Sequence, residues 1–281
     1  MKKILSVLFL IASCAAVSAQ SVSALLIPAD ARSLAMGGVS SNIEAQHLDV
    51  RATYSSWAPS TSSNMIVGIN AFIPAGEKFS IYVDGQMFRD KPYAAYDAQG
   101  LAKGEFAPND LIVSLGGAFN PSETFSIALK GRYISSALSA EAKGSAFCAD
   151  LSGTFRGDSF DATLSVCNLG SKIDYGYGPY SLPALVKAYG DYRIINGLTA
   201  AAELDYLFNG ALMAGIGAEY WIADIVALRA GYHYGDQAKA LPSFVSLGAA
   251  LKFAGVSISA TYLTASRTLG NTLMFGLGYS F

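Results

Sequence analysis

The residues able to carry out chemistry are few and scattered. The chain of 281 residues holds 2 histidines, His47 and His233, and 3 cysteines, Cys14, Cys148 and Cys167. Neither histidine stands in a His/Cys/carboxylate spacing of the kind that holds zinc. A Ser–His–acid triad assembles in space and leaves no mark on the sequence, but no local setting points to one. The pairs Gly37-Gly38 and Gly116-Gly117 lack the strand–loop–helix context of a phosphate-binding loop, and glycine among strands more often permits bending or close approach. No enzymatic activity, cofactor or metal is expected. Cys148 and Cys167 flank Gly157-Asp158, which reads as a two-residue turn with glycine first and suits type II′. Pairing Arg156 with Ser159 puts Phe155 opposite Phe160 and Cys148 opposite Cys167. In an oxidising compartment the two are a candidate disulfide. Two free thiols are the alternative, because this is a hydrogen-bonded pair and disulfide geometry is demanding.

The elements that must position these residues are strands. In "NTLMFGLGYSF", Leu273, Phe275, Leu277, Tyr279 and Phe281 are apolar, while Thr272, Gly276, Gly278 and Ser280 are small or polar. A period of two gives a strand with two unlike faces. About fourteen such segments follow one another, at 48–57, 64–73, 79–88, 111–119, 125–134, 146–156, 160–169, 183–194, 198–207, 210–221, 225–234, 243–253, 255–263 and 271–281. The charges test this assignment. Lys130 and Arg132 lie opposite Phe125, Ile127, Leu129 and Tyr133; Asp150 and Arg156 lie opposite Phe147, Ala149, Leu151 and Phe155; Arg229 and His233 lie opposite Val226, Leu228, Tyr232 and Tyr234. Asp84, Asp161, Lys187, Asp191, Arg193, Glu203, Asp205, Glu219 and Lys252 obey the same rule. A charge at the bilayer midplane costs about 2–4 kcal/mol on a barrel's lipid face, and the pattern is what that penalty produces. A soluble sandwich or lipocalin-like barrel is the alternative, disfavoured by so many short strands without long polar connections.

Composition agrees. Hydrophobic residues make up 52% and charged residues only 14%, yet after the leader no apolar run reaches the roughly 18 residues of a membrane helix. The apolar material must be spread through short strands. A net charge of −2 argues against nucleic acid as a partner. At the N-terminus, Lys2 and Lys3 precede the apolar run 4–12, and Val17-Ser18-Ala19 offers a cleavage site, so residues 1–19 read as a secretory signal peptide. Ile11-Ala12-Ser13-Cys14 also resembles a lipoprotein processing box, which would leave Cys14 lipidated. Connections after odd-numbered strands are mostly long (89–110, 135–145, 170–182, 235–242), and those after even-numbered strands are short (120–124, 157–159, 195–197, 222–224, Ala254). Outer-membrane barrels have short periplasmic turns and long outer loops, which places both termini in the periplasm. Asn209-Gly210 is the exception, a tight turn on the long-loop side. The loop Arg89–Asp110 carries Tyr93, Tyr96 and Phe106, and the loop Gly170–Leu182 carries Tyr175, Tyr177 and Tyr180. These aromatics are candidate partner-binding anchors; an aromatic girdle at the membrane interface is the alternative reading.

"ADARSLAMGGVS", Ala29 to Ser40, resembles the N-terminal signature of the PorV/PorQ family of outer-membrane barrels found in bacteria with type IX secretion. The resemblance continues through "YDAQGLAKGEFAPNDLIVSLGGAF", "FCADLSGTF", "NLGSKIDYGYGPYSLP", "GAEYWIADIVALRAGYHY" and "LGNTLMFGLGYSF", covering nearly all of the mature chain. The spacing Asp97-x-x-Gly100-x-x-x-Gly104-Glu105-Phe106 is similar to the PorQ branch. That family is similar to FadL-type transporters, so the resemblance implies an all-β, transmembrane antiparallel barrel of about fourteen strands at 48–281, with an N-terminal plug at 20–47. Arg32, Met36, Gly37 and Gly38 are its plug candidates, and the terminal phenylalanine resembles the signal read by outer-membrane assembly machinery. The implied function is a non-enzymatic component of type IX secretion that docks a secreted or surface protein at its external face. Its partners would be outer-membrane lipid, other secretion or surface-attachment proteins and secreted cargo. A FadL-like uptake channel for a hydrophobic small molecule is the alternative, and a lipid-modifying barrel enzyme ranks third. Two departures stand out. The chain reads Trp57-Ala58-Pro59-Ser60 where the family usually has Trp-Asn-Pro-Ala, and it has little room for long external insertions.

Overall fold

The computed structural model describes residues 21–40, 48–59, 63–96, 99–236 and 238–281. The signal peptide and lipidation readings of residues 1–19, together with His47 and Asp97, lie outside the described residues. In chain order the strands are β1 (Asp49–Trp57), β2 (Asn64–Pro74), β3 (Phe79–Arg89), β4 (Tyr93–Tyr96), β5 (Ala102–Phe106), β6 (Asn109–Ser122), β7 (Phe125–Ala137), β8 (Lys143–Arg156) and β9 (Phe160–Gly170). They continue with β10 (Ile173–Asp174), β11 (Pro179–Tyr180), β12 (Leu185–Ile195), β13 (Leu198–Leu207), β14 (Leu212–Ile222), β15 (Val226–Gly235), β16 (Phe244–Phe253), β17 (Val256–Thr264) and β18 (Leu273–Ser280). Fourteen of these form one closed antiparallel barrel, each pairing with its neighbour in sequence order and β18 pairing with β1. The other four form two small hairpins in the long connections, β4 with β5 and β10 with β11.

Closure satisfies every strand edge, the condition for placing backbone in hydrocarbon. The alternation expected from sequence is what the wall displays. Leu115, Leu129, Leu151, Leu164, Ile216, Leu228, Leu247, Ile258 and Leu277 all point outward and are exposed, whereas Glu203, Asp205, Glu219, Arg229 and His233 are buried in the lumen. Two outward aromatic tiers bound the apolar belt. Near the short turns, Phe79 meets Phe119 at 5.1 Å and Phe155 meets Phe160 at 5.6 Å; nearer the long connections, Tyr133 meets Phe147 at 5.0 Å. Such tiers suit the two interfaces of a bilayer. The short turns are sharp: between β16 and β17, Ala254 (φ 49°) and Gly255 (φ 81°) both take left-handed conformations, as a type I′ hairpin requires.

One expected register is corrected. β8 and β9 meet two residues out of the anticipated alignment, with Arg156 opposite Asp161 and Phe155 opposite Ala162, because the Gly157 N–H bonds the Phe160 carbonyl and moves the turn to Asp158-Ser159. Higher up, the register shifts again between Ala149 and Leu151, where Asn168 is left-handed at φ 58°. The extra residue is a β-bulge. Asp150 ties it down: its carboxylate accepts from the Asn168 N–H at 2.8 Å, and Arg132 bonds both Asp150 and, at 2.7 Å, the Asn168 side chain. Cys148 therefore lies opposite Gly170, and Cys167 opposite Leu185 of β12. Both are free thiols, so the candidate disulfide is withdrawn.

Candidate functional site

The N-terminal segment 21–40 runs inside the barrel. A 3-10 turn, Ser23–Leu26, is followed by a five-residue helix, α1 (Ala31–Ala35). Asp30 caps it, accepting from the Ser33 N–H at 2.9 Å, the standard way to satisfy an orphan helix donor. Gly37 and Gly38, at φ 78° and 80°, end it, with the Gly38 N–H returning to the Ser33 carbonyl at 3.0 Å. The helix is too short to stand alone in water, so the wall must hold it.

Hydroxyls on inward positions of the wall take up the plug's free carbonyls. Thr53 donates to Ala29 at 3.0 Å, Thr261 to Ala31 at 2.6 Å and Ser246 to Ala35 at 2.9 Å, while the Gly37 N–H donates to Ser246 at 3.1 Å. Charges add two stronger anchors. Arg32 reaches Glu219 at 2.8 Å, and the same carboxylate accepts from Arg229 Nε at 2.6 Å. Further along, Ser40 donates to Glu203 through its N–H (3.0 Å) and hydroxyl (2.9 Å), and Lys187 Nζ bonds that hydroxyl at 2.6 Å and Glu203 at 2.7 Å. His233 faces the lumen as expected, with Nδ1 3.2 Å from the Gly37 carbonyl and its ring stacked on Phe244. The wall makes room by omission. A Cβ on Gly217 would overlap Met36, one on Gly231 would overlap Met36 and Gly37, and one on Gly215 would lie 2.6 Å from the Gly37 carbonyl.

Toward the long connections the lumen is sealed by apolar side chains. Ile27, Ala31 and Leu34 of the plug pack with Ile66, Leu207, Phe244, Leu263 and Met274. Beside them, Val22 and Ala24 pack with Ile112, Ile134, Ile173, Tyr175 and Leu182. The last three come from the connection after β9, which folds inward as a lid. Its tie is Tyr175, whose hydroxyl lies 2.8 Å from both Ser21 Oγ and Ser136 Oγ. Each bond is worth about 0.5–1.5 kcal/mol net. Tyr175→Phe is accordingly expected to raise amide exchange across 173–182 about tenfold without altering barrel assembly. Exchange equal to wild type would show that apolar packing alone holds the lid.

The aromatic candidates divide. Tyr175 is buried and leaves the surface set. Tyr180 is half-buried, its ring 6.1 Å from that of Tyr175. Tyr177 is 77% exposed, and Tyr96 on the β4–β5 hairpin is 64% exposed. Tyr93 and Phe106 face each other across that hairpin at 6.3 Å, and the Tyr93 hydroxyl bonds the Leu138 carbonyl. All four plug candidates lie against the wall: Arg32 in the ion cluster, Met36 buried, Gly37 and Gly38 against β15. Sequence reading missed the wall glycines and the hydroxyls Thr53, Ser246 and Thr261. Their signal was the inward parity of small and hydroxyl residues on strands whose other face is apolar.

Between the plug and the wall, below the apolar seal, lies a cavity of about 360 Å³. Plug residues Leu25, Leu26, Ile27 and Pro28 form one side. Asn70, Asp84, Gln86, Ser114 and Arg132 belong to the facing wall. The volume falls in the ~300–1,000 Å³ range of small-molecule sites.

No family model matches the chain, and no curated protein matches it. Solved structures do. The toluene transporter TodX of Pseudomonas putida superposes with a TM-score of 0.67 at 10% identity, over 92% of this chain and 99% of that one. The CymD monoaromatic hydrocarbon channel gives 0.63 at 12% identity, over 91% and 98%. A Pseudomonas aeruginosa FadL homologue gives 0.55 at 11% identity, over 92% and 96%. The fold is FadL-like. At these identities the likeness concerns the fold alone, and it extends over nearly the whole of both chains.

Proposed function

We propose that this chain is an outer-membrane uptake channel for a hydrophobic small molecule. The observation that carries the reading is the cavity between plug and wall, with Leu25, Leu26, Ile27 and Pro28 along one side of it. The end-to-end likeness to barrels described as hydrocarbon transporters supports the same choice. A girdled apolar outer belt fits the outer membrane, with the long connections facing outward. In this reading the plug is a gate held by ion pairs and hydroxyls, elements that water can replace, rather than by a continuous greasy core along its whole length. The chain acts without covalent chemistry.

The test is accumulation of radiolabelled toluene and of a long-chain alkane by Gram-negative cells whose own hydrocarbon channels are deleted, with and without this barrel. Faster accumulation of either probe is expected. Rates equal to the empty-vector control for both would overturn the reading.

Docking of a secreted or surface protein in type IX secretion is the second reading. It rests on the resemblance of segments such as Ala29–Ser40 to the PorV/PorQ family, and on the exposed Tyr96, Leu101 and Tyr177 at the long-connection end. The three solved structures named above do not bear on it. Recovery of a surface protein at near-equal stoichiometry from native membranes, with no uptake of either probe, would put docking in first place.

A further inference from the structure

The cavity wall facing the plug is polar, with its charges almost balanced. Lys130 lies 3.2 Å from Asp84, Arg132 is paired with Asp150, Arg51 lies 2.7 Å from Asp49, and Lys187 serves both Glu203 at 2.7 Å and Asp205 at 3.9 Å, which leaves one carboxylate in excess. The carboxylate of Asp30, on the plug side, is taken up by Ser33 of α1. Among the described residues, the neutral atoms Asn70 Oδ1, Gln86 Nε2 and Ser114 Oγ are buried without a hydrogen-bond partner, and Ser114 is only 2% exposed. One oxygen each of Asp84 and Asp205 is buried without one too, that of Asp84 facing Lys130 as an ion pair. Arg132 Nε, on a guanidinium already neutralised by Asp150, joins them.

These groups are contiguous. The register sets Asn70 opposite Asp84, Asp84 opposite Ser114 and Ser114 opposite Arg132, a row across β2, β3, β6 and β7. Gln86 stands two residues along β3, opposite Gly68, which presents no side chain. The Ala29 carbonyl of the plug approaches Gly68, so the patch has the plug directly across from it. Buried polar atoms without partners each cost about 1–3 kcal/mol. A cluster of them around one cavity is a common mark of a site that a ligand or water completes.

We propose that the cavity binds an uncharged amphiphile, a small apolar body bearing a hydroxyl, rather than a pure hydrocarbon or an anion. The apolar part lies against Leu25, Leu26, Ile27 and Pro28. The polar group both accepts, from Gln86 Nε2 or Arg132 Nε, and donates, to Asn70 Oδ1, with Ser114 Oγ serving in either sense. A hydroxyl fills both roles, whereas a carboxylate can only accept and would add a further negative charge to a wall that already holds one carboxylate in excess. The inference deepens the uptake reading and takes its biological sense from it.

The test is calorimetric titration of the full-length barrel in nanodiscs with 4-methylphenol and with toluene, the two differing by one hydroxyl, with empty nanodiscs subtracted. Wild type is expected to prefer 4-methylphenol by about tenfold, the worth of one net hydrogen bond. Gln86→Leu and, separately, the gentler Ser114→Ala should bring that ratio toward one, in samples whose heat-modifiable gel mobility shows a folded barrel. A wild-type ratio of one, or a preference that survives both substitutions, overturns the proposal and leaves water as the occupant of the patch. If that happens while toluene still binds and accumulates in cells, uptake stands without this specificity. If neither probe binds and neither accumulates, both readings fall.

Discussion

Glu219→Ala is expected to open the lumen, and Arg32→Ala to do so far less. The Glu219 carboxylate lies between two guanidiniums, one from the plug and one from the wall, with side-chain exposures of 5% for Glu219 and 4% for Arg229. Removing it strands Arg229 without its counter-charge, at a cost of about 3–5 kcal/mol for breaking a buried pair. Water can relieve that cost only by entering, and the plug occupies the place water would take. Releasing the plug is therefore the cheaper state. Arg32→Ala leaves Glu219 with Arg229 at 2.6 Å and forfeits only charge-assisted hydrogen bonds, about 1.5–3 kcal/mol. Single-channel conductance in planar bilayers reads the difference: large open events for Glu219→Ala and rare ones for Arg32→Ala and wild type. Trypsin cleavage at Arg32 in the folded Glu219→Ala barrel gives an independent readout. A closed, protease-resistant Glu219→Ala barrel would show that the hydroxyl anchors suffice.

Gly231→Val should expel the plug by a different route. The residue faces inward, and even a Cβ there would overlap the backbone of Met36 and Gly37. Overpacking costs about 1–3 kcal/mol where neighbours can give. Here the neighbours are backbone on one side and a paired strand on the other, so the plug is the part that yields. Valine suits a strand, and the barrel should assemble normally. Ala230→Val is the control: one residue away, it points outward at the exposed surface and should leave conductance at the wild-type level. Equal conductance in the two variants would mean that segment 35–38 has room to shift within the lumen.

Much of the architecture is legible in the sequence because it is local. Alternation along a strand depends only on neighbours two apart, and the lipid penalty acts on each outward position separately. All fourteen barrel strands thus fall close to their expected places, from Asp49–Trp57 to Leu273–Ser280. The charges that betray the lumen, such as Glu203, Glu219 and Arg229, are the same ones that hold the plug or its anchors. The Gly37-Gly38 pair is a local signal too, since glycine readily takes the left-handed conformation that closes a helix, as both residues do here at φ 78° and 80°.

What depends on which strand meets which, and at what offset, was out of reach. The turn after β8 slips by two residues, which preserves every side chain's face and so leaves no trace in the alternation. The bulge at Asn168 is set by Asp150 and Arg132 from neighbouring strands, and with it the separation of Cys148 from Cys167. Tyr175 reads as a loop aromatic like Tyr177, but its partners Ser21 and Ser136 lie 154 and 39 residues away. A lipid-facing barrel with a polar lumen is written into the chain locally, since burial and lipid exposure act residue by residue. How that lumen is filled emerges only on folding: which glycines admit the plug, which carboxylate locks it, and which polar groups are left without hydrogen bonds around the cavity. Those depend on contacts between residues far apart in the chain, and no local pattern encodes them.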